Sequence, residues 1–246
     1  NESLNKLLTE KELKTLKEIK EKYKDLSRST FKNRYESFLA QFTYNSNAIE
    51  ENTLTLNETS YILFEKKTPQ GKSLREVNEV LNHKEAFDYM MMYKKDVTKL
   101  FICTLQKKVV KNTLRKDLED QIGKYRYVQV YIRGADFIPP TATEAKGEMR
   151  NLMYWYTSNK KKLHPLILAA YFHVAFESIH PFVDGNGRTG RLIINFMLHK
   201  NGLPMVNIPN NRKLEYYDCL DAGREGNLRK MVKFLYSILV KEKIYV

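Results

Sequence analysis

Along most of this chain an apolar residue returns every three or four positions, the period of a helix with one buried face. Helix starts are marked by Ser or Thr followed three residues later by Glu: Thr9 with Glu12, Thr55 with Glu58, Ser73 with Glu76, and Thr141 with Glu144. Together these signals predict helices over about 9–24, 31–42, 56–66, 74–93, 96–112, 144–158, 165–178, 188–201, 213–222 and 227–243. One segment breaks the period. Residues 125–138, YRYVQVYIRGADFI, alternate aromatic and β-branched residues with polar ones around Arg133-Gly134, which reads as a short β-hairpin. Pro139-Pro140 then forbid helix before Thr141. No internal repeat and no Gly/Ser linker interrupts the chain. The expected architecture is mostly α with one hairpin: an N-terminal helical portion over 1–115 packed on a core over 116–246.

The composition, with 42% hydrophobic and 12% aromatic residues among 246, excludes a disordered or low-complexity chain. The best apolar run, Leu166 to Phe172, stops at His173 and falls well short of the roughly 18 to 20 residues a bilayer crossing needs. Cys103 and Cys219 are too few and too dispersed for a disulfide framework or a metal cluster; they suit a reducing compartment, and the expected location is the cytoplasm. The formal charge of +13 could serve nucleic acid, an acidic membrane surface or phosphorylated ligands. The excess gathers at Lys107, Lys108, Lys111, Arg115 and Lys116, then Lys124, Arg126 and Arg133, and at Lys160 to Lys162. The excess reads as solvated surface and not as a dedicated patch, so nucleic acid is not the expected partner.

Chemistry concentrates in residues 172–191, FHVAFESIHPFVDGNGRTGR. An apolar helix face ends at His180, and Pro181 blocks its continuation, which places the imidazole at a rim. Asp184-Gly185-Asn186-Gly187 then opens a second helix that carries Arg188 and Arg191. Two glycines around one Asn let successive N–H groups converge at a helix N-terminus, an anion site suited to a di- or triphosphate when two arginines follow. Asp184 adds the hard oxygen ligand that Mg²⁺ bridging phosphates takes from a protein. Singly, each element is ordinary: a His near a helix end usually caps or packs, Asp-Gly-Asn-Gly is usually a turn, and two arginines usually face solvent. Their conjunction within twelve residues points to nucleotide chemistry.

His180-Pro181-Phe182-Val183-Asp184-Gly185-Asn186-Gly187-Arg188-Thr189-Gly190-Arg191 resembles the Fic signature, HPFx(D/N)GNGRxxR, at every defined position. The segment Ile122-Gly123-Lys124-Tyr125-Arg126 with Ile138-Pro139-Pro140 is similar to the family's approach to its core helices, and the resemblance spans about residues 55–235. It implies a Fic-like helical fold and transfer of AMP from ATP to a hydroxyl side chain of a protein target, which can include the chain itself; a homodimer is compatible with it. The resemblance makes His180 the general base and Asp184 the Mg²⁺ ligand. It places phosphates on Gly185, Asn186, Gly187, Arg188 and Arg191, with Phe182 as a core plug. The segment 127–138 is similar to the family's flap, with Val130, Tyr131 and Ile132 pairing with an extended stretch of the target. Adenine is expected near Asn210, Asn211, Tyr216, Tyr217 and Leu220.

Upstream, Ser46-Asn47-Ala48-Ile49-Glu50-Glu51-Asn52 is similar to the family's inhibitory motif, (S/T)xxxE(G/N), on a helix expected over 45–53. The resemblance pairs Glu50 with Arg191, spoiling the γ-phosphate seat, and departs from the pattern at Glu51. Ser46 as the N-cap of an ordinary helix is the other reading of the same residues. Three functions compete: an autoinhibited protein adenylyltransferase, an enzyme of the same fold that moves another nucleotidyl or phosphate-containing group or removes AMP, and a nucleotide- or nucleic-acid-binding regulator with an idle motif. The first accounts for His180, Asp184 and both arginines together.

Overall fold

The computed structural model describes residues 2–24, 28–132 and 136–241. Helices α1 (Glu2–Asn5), α2 (Glu10–Lys24), α3 (Arg28–Ile49) and α4 (Leu56–Ser60) are followed by α5 (Leu74–Met92) and α6 (Lys99–Val109). After a 3₁₀ turn at Lys116–Gln121 come α7 (Ala142–Asn159), α8 (Pro165–Ile179), α9 (Asn186–Lys200), α10 (Lys213–Arg224) and α11 (Leu228–Lys241). All four expected capping boxes form, with the Thr or Ser hydroxyl and the Glu carboxylate each taking one backbone N–H that a helix start leaves unpaired. No helix among the described residues is long and apolar enough to cross a membrane.

The centre of the molecule is the pair α8 and α9. Helix α8 packs against α7, α9, α10 and α11, while α9 also meets α3, α5 and α6. Their sequences explain the position, because α8 reads PLILAAYFHVAF and α9 carries LIINFML, both buried almost all round. Phe172, Phe176 and Phe182 are fully buried there, each worth at most about 1.5–3 kcal/mol relative to exposure. The polar residues of α9, including Arg188, Arg191 and Asn195, are buried along with the apolar ones. Buried charge on a central helix has to be answered by partners, and those partners come from the N-terminal helices.

Two expectations change. Helix α3 runs to Ile49 instead of ending near residue 42, and residues 45–49 are its last turns, not a separate helix. The sequence there, FTYNSNAI, is weak in helix propensity because Asn, Ser and Thr compete for backbone hydrogen bonds. Here those side chains bond across the fold instead: Thr43 meets His83 Nδ1 (2.9 Å), Asn45 donates to Asn207 (3.2 Å), and Asn47 donates to the Glu79 carbonyl (3.4 Å). The hairpin also fails to appear: no strand is present among the described residues, and Arg133-Gly134 lie outside them. Pro139 and Pro140 supply no N–H to a ladder, and side chains clasp the two arms instead, with Gln129 donating to the Pro139 carbonyl (3.0 Å) and Arg126 to those of Val128 and Pro140.

Candidate active site

His180 closes α8 in the left-handed conformation (φ 50°), with its N–H on the Phe176 carbonyl at 2.9 Å. Pro181 prevents another turn, and Arg126 fixes the corner. The Arg126 guanidinium, fully buried, donates to the carbonyls of His180 (2.8 Å) and Ile179 (3.4 Å), and its backbone N–H donates to Pro181 (2.8 Å). Arg126 therefore belongs to the frame of the site and not to the basic surface. His180 Nδ1 lies 3.4 Å from the Glu177 carbonyl, which makes Nδ1 the protonated nitrogen and leaves Nε2 without a partner among the described residues. Burial lowers the imidazole pKa to about 4, with the Glu177 carbonyl pulling the other way. The ring is therefore neutral at physiological pH and able to accept a proton.

The loop after His180 is closed by Asn186, whose side chain accepts from the Phe182 N–H (2.9 Å) and donates to the Phe182 carbonyl (2.8 Å). That pair of bonds fixes the Asn186 side chain and ties Phe182 into the core. Gly185 stands at φ +79°, and a Cβ there would meet Val110 at 2.7 Å, so the glycine is required by both conformation and space. The first rung of α9 runs from Thr189 N to the Gly185 carbonyl (3.0 Å), which leaves the amides of Asn186, Gly187 and Arg188 ahead of the ladder. Gln106 braces the loop from outside, donating to the Asp184 carbonyl (3.1 Å) and accepting from Gly123 N (2.7 Å).

Asp184 Oδ1 accepts from Gly185 N (2.6 Å) and Arg188 (3.2 Å), whereas Oδ2 has only Arg75 at 3.9 Å. One open carboxylate oxygen fits a Mg²⁺ ion that takes its other ligands from substrate phosphates and water. No cluster of three or more His, Cys, Asp or Glu poised for a metal exists among the described residues. Arg188 is buried between Asp184 and Glu79, whose carboxylate is 3.7 Å from Nη1, and its Nε and Nη1 have no hydrogen-bond partner among the described residues. Unpaired guanidinium donors at a helix N-terminus are what an anion would satisfy.

Glu50 lies over that N-terminus. Its carboxylate is 2.7 Å from Arg191 Nη2, and a Cβ built on Gly187 would stand 2.2 Å from Glu50 Oε1. Arg191 is held further by Ser46, through the hydroxyl (3.0 Å) and the carbonyl (2.8 Å). Ser46 is thus buried in the interior of α3 and is not an N-cap. Burial alone would raise the Glu50 pKa, but Arg191 and then Arg188 outweigh it and hold the carboxyl below its ordinary range. Burial likewise opposes the charge on Arg191, and Glu50 more than restores it.

Glu50, Glu177, His180, Gly187 and Arg191 line one cleft of about 340 Å³ together with Tyr216, Tyr217, Leu220 and Arg224, whereas Asp184, Gly185, Asn186 and Arg188 are not among its lining residues. Ile132, Asp136 and Phe137 form its lip; Tyr131 is exposed and Val130 half-buried beside them. Asn210 and Asn211 fall outside the lining, because the Asn210 N–H is turned onto Asn45 (2.8 Å) in the short turn after Pro209. Sequence reasoning passed over Arg126, Gln106, Glu177 and Arg224; a buried Arg and a Gln joining distant loops carry no local signal. Residues 96–198 match the model of the Fic/DOC family. The chain belongs to the Fic/DOC family. It is 37% identical over 201 residues to protein adenylyltransferase Fic of Drosophila melanogaster, a match covering 79% of this chain and 39% of that protein. The corresponding protein of Nematostella vectensis is 36% identical over 200 residues, covering 79% and 45%. The chain spans about two fifths of the length of the curated relatives it matches. Among solved structures, a Fic-domain-containing signaling protein of Bacteroides thetaiotaomicron superposes with TM-score 0.84 at 27% identity, covering 94% of each chain. Fic-1 of Caenorhabditis elegans gives 0.82 at 26% identity, covering 93% of this chain and 68% of that one.

Proposed function

We propose that this Fic-family chain is a protein adenylyltransferase that transfers AMP from ATP to a hydroxyl side chain of a protein target, releases pyrophosphate, and is restrained by Glu50. The observation that carries the reading is the convergence on one cleft of a neutral His180, the amide end of α9 and Arg191, with a carboxylate of the protein itself lying where an anion would be held. In this reading the target hydroxyl gives its proton to His180 Nε2 as its oxygen attacks the α-phosphorus. The amides of Gly187 and Arg188 and the guanidinium of Arg188 face the charge that builds on the phosphate oxygens. Asp184 would hold Mg²⁺, which when bound neutralises charge on the phosphates. Tyr217 and Leu220 line the far wall, where an adenine ring would lie.

Arg191 is the natural seat of the γ-phosphate, and Glu50 competes with that phosphate for it. A triphosphate entering with Glu50 docked is displaced along the chain of phosphates, and misplacement of the reacting atoms by about 1 Å costs on the order of 100-fold. Glu50→Gly should therefore raise incorporation of adenine-labelled ATP into the protein well above the parent. If the variant incorporates no more than the parent over a full time course with Mg²⁺ present, restraint by Glu50 is wrong; if neither incorporates any, adenylyl transfer onto the chain itself is wrong.

A further inference from the structure

Glu177 lies one turn before His180 on α8, is buried, and lines the same cleft. Its Oε2 is 3.9 Å from His180 Nδ1, the nitrogen that also faces the Glu177 carbonyl. Its other oxygen, Oε1, is buried with no hydrogen-bond partner among the described residues, and Nδ1 of His173 one turn further back is turned to the Gly190 backbone. Both atoms point to one place: a Cβ on residue 190 would stand 2.8 Å from each, so only glycine at 190 lets them converge. His173 Nε2 in turn lies 2.7 Å from the Tyr216 hydroxyl. An unsatisfied buried polar atom is costly, so a carboxyl kept there, reaching back to the imidazole in a ligand cleft, calls for a use.

We propose that Glu177 is a positioning residue for the transfer base: its carboxylate, 3.9 Å from Nδ1, stabilises the imidazolium formed when Nε2 takes the target's proton. The proposal rests on the adenylyl-transfer reading. In the step concerned the target O–H bond breaks and its proton goes to Nε2; the O–Pα bond forms, and the bond from Pα to the bridging oxygen breaks, with its electron pair leaving on pyrophosphate. One positive charge appears on the ring. The Glu177 carbonyl can orient that ring at 3.4 Å but carries no net charge to oppose it; the carboxylate supplies one.

The groups facing Glu177 are His173 and His180 on its own helix, Arg191 on α9, Glu50 at the end of α3, and Arg224 and Tyr216 on α10. Burial pushes the Glu177 carboxyl up to about 7, with Glu50 adding to the rise and Arg191 and Arg224 opposing it. Glu177 thus changes charge near neutrality while His180 is already neutral, and transfer should accelerate as pH rises through that range.

The test uses Glu50→Gly, with restraint lifted, with and without Glu177→Gln, reading kcat and KM for ATP across neutral pH with labelled ATP and Mg²⁺. Glu177→Gln keeps the shape and removes the charge, so kcat should fall about tenfold, less than the roughly 10² to 10⁴ a general base contributes. KM for ATP should stay unchanged, and the rise of kcat near pH 7 should vanish. Glu177→Asp, which keeps the charge, should retain that rise, and it decides the matter should the Gln variant fail to fold: loss of the rise in a folded Asp variant overturns the proposal. An unchanged kcat and an unchanged rise in Glu177→Gln also overturn it, and leave adenylyl transfer standing. No labelling by Glu50→Gly itself removes the transfer reading, and this proposal with it.

Discussion

At the scale of single residues, the cleft sets three charges against one another. Arg191 is buried and held by Ser46 and Glu50, and a buried cation stripped of its partner carries a large uncompensated desolvation cost. In the proposed reading a γ-phosphate would replace the Glu50 carboxylate there without leaving Arg191 unpaired, so that an anion would relieve the restraint. His180 plays no part in that competition. Its ring is fixed from behind by the Glu177 carbonyl, and its own carbonyl is held by Arg126. Removing the imidazole should therefore leave the nucleotide seat intact. In the Glu50→Gly background, His180→Ala should lower labelling by about 10² to 10⁴, the usual contribution of a general base, while ATP affinity stays within a few-fold. Label incorporation together with a calorimetric ATP titration checks both halves; retention of most activity would remove the base assignment. That His180 and Arg191 share one cleft was legible in the sequence because motif spacing carries it. Arg126 was not: it reads as one more cation in a basic stretch, and only the carbonyls gathered around it reveal a frame residue.

At the scale of elements, the end of α3 decides how firmly Glu50 is delivered. Asn52 N bonds the Asn47 carbonyl (3.1 Å) and Glu51 N bonds that of Ala48 (3.0 Å), the paired closure of a helix stop whose intervening residue is left-handed. That residue is Glu51, at φ 70°. Gly or Asn takes this conformation readily, and a side chain like that of Glu does so at about 1–2 kcal/mol, which is the physical content of the family's Gly or Asn one place after the inhibitory Glu. Asn52 compensates by anchoring the stop to α5, donating to Glu79 (2.8 Å) and to the Glu76 carbonyl (3.3 Å). Glu51→Gly should thus settle the docked conformation and lower basal labelling several-fold below the parent, the opposite direction from Glu50→Gly. Parallel initial rates for the two variants decide it; a faster Glu51→Gly would mean that repulsion between the paired carboxylates, not backbone conformation, governs docking. Capping boxes made the starts of α2, α4, α5 and α7 readable in advance. The last turns of α3 were not readable, because Thr43, Asn45, Ser46 and Asn47 favour caps and turns locally and are kept helical only by partners on α5, α9 and the segment before α10. The hairpin was misread for the converse reason: alternation in YRYVQVYI suits a strand, but the segment has no neighbouring strand to pair with and is tied down by side chains.

At the scale of the whole molecule, the mostly helical architecture followed from period alone, but the burial of its polar groups could not, since it depends on which helices meet. His83 and His173 are buried and the other three histidines half-buried, and burial lowers the pKa of each: His83 and His173 to about 3, His164 and His180 to about 4, and His199 below its ordinary value. The unfolded chain binds protons on these rings below about pH 6.5, while the folded chain does not. Stability is therefore fully present above pH 6.5 and is lost as pH falls toward the folded values, by about 1.4 kcal/mol per pH unit for each fully buried ring. Glu177 acts with the opposite sign. Its carboxyl is raised to about 7, so the folded state holds a proton that the unfolded state releases above about 4.5, and this contribution grows on acidification across the same window. One carboxyl cannot offset several imidazoles. The expected result is a thermal unfolding midpoint that is steady from pH 8 to about 6.5 and drops steeply toward pH 5, with Glu177→Gln steepening the drop because the opposing group is gone. A midpoint that is flat or rises between pH 6.5 and 5 would mean that these histidines are protonated in the folded protein, and the neutral state assigned to His180 would have to be given up along with the rest.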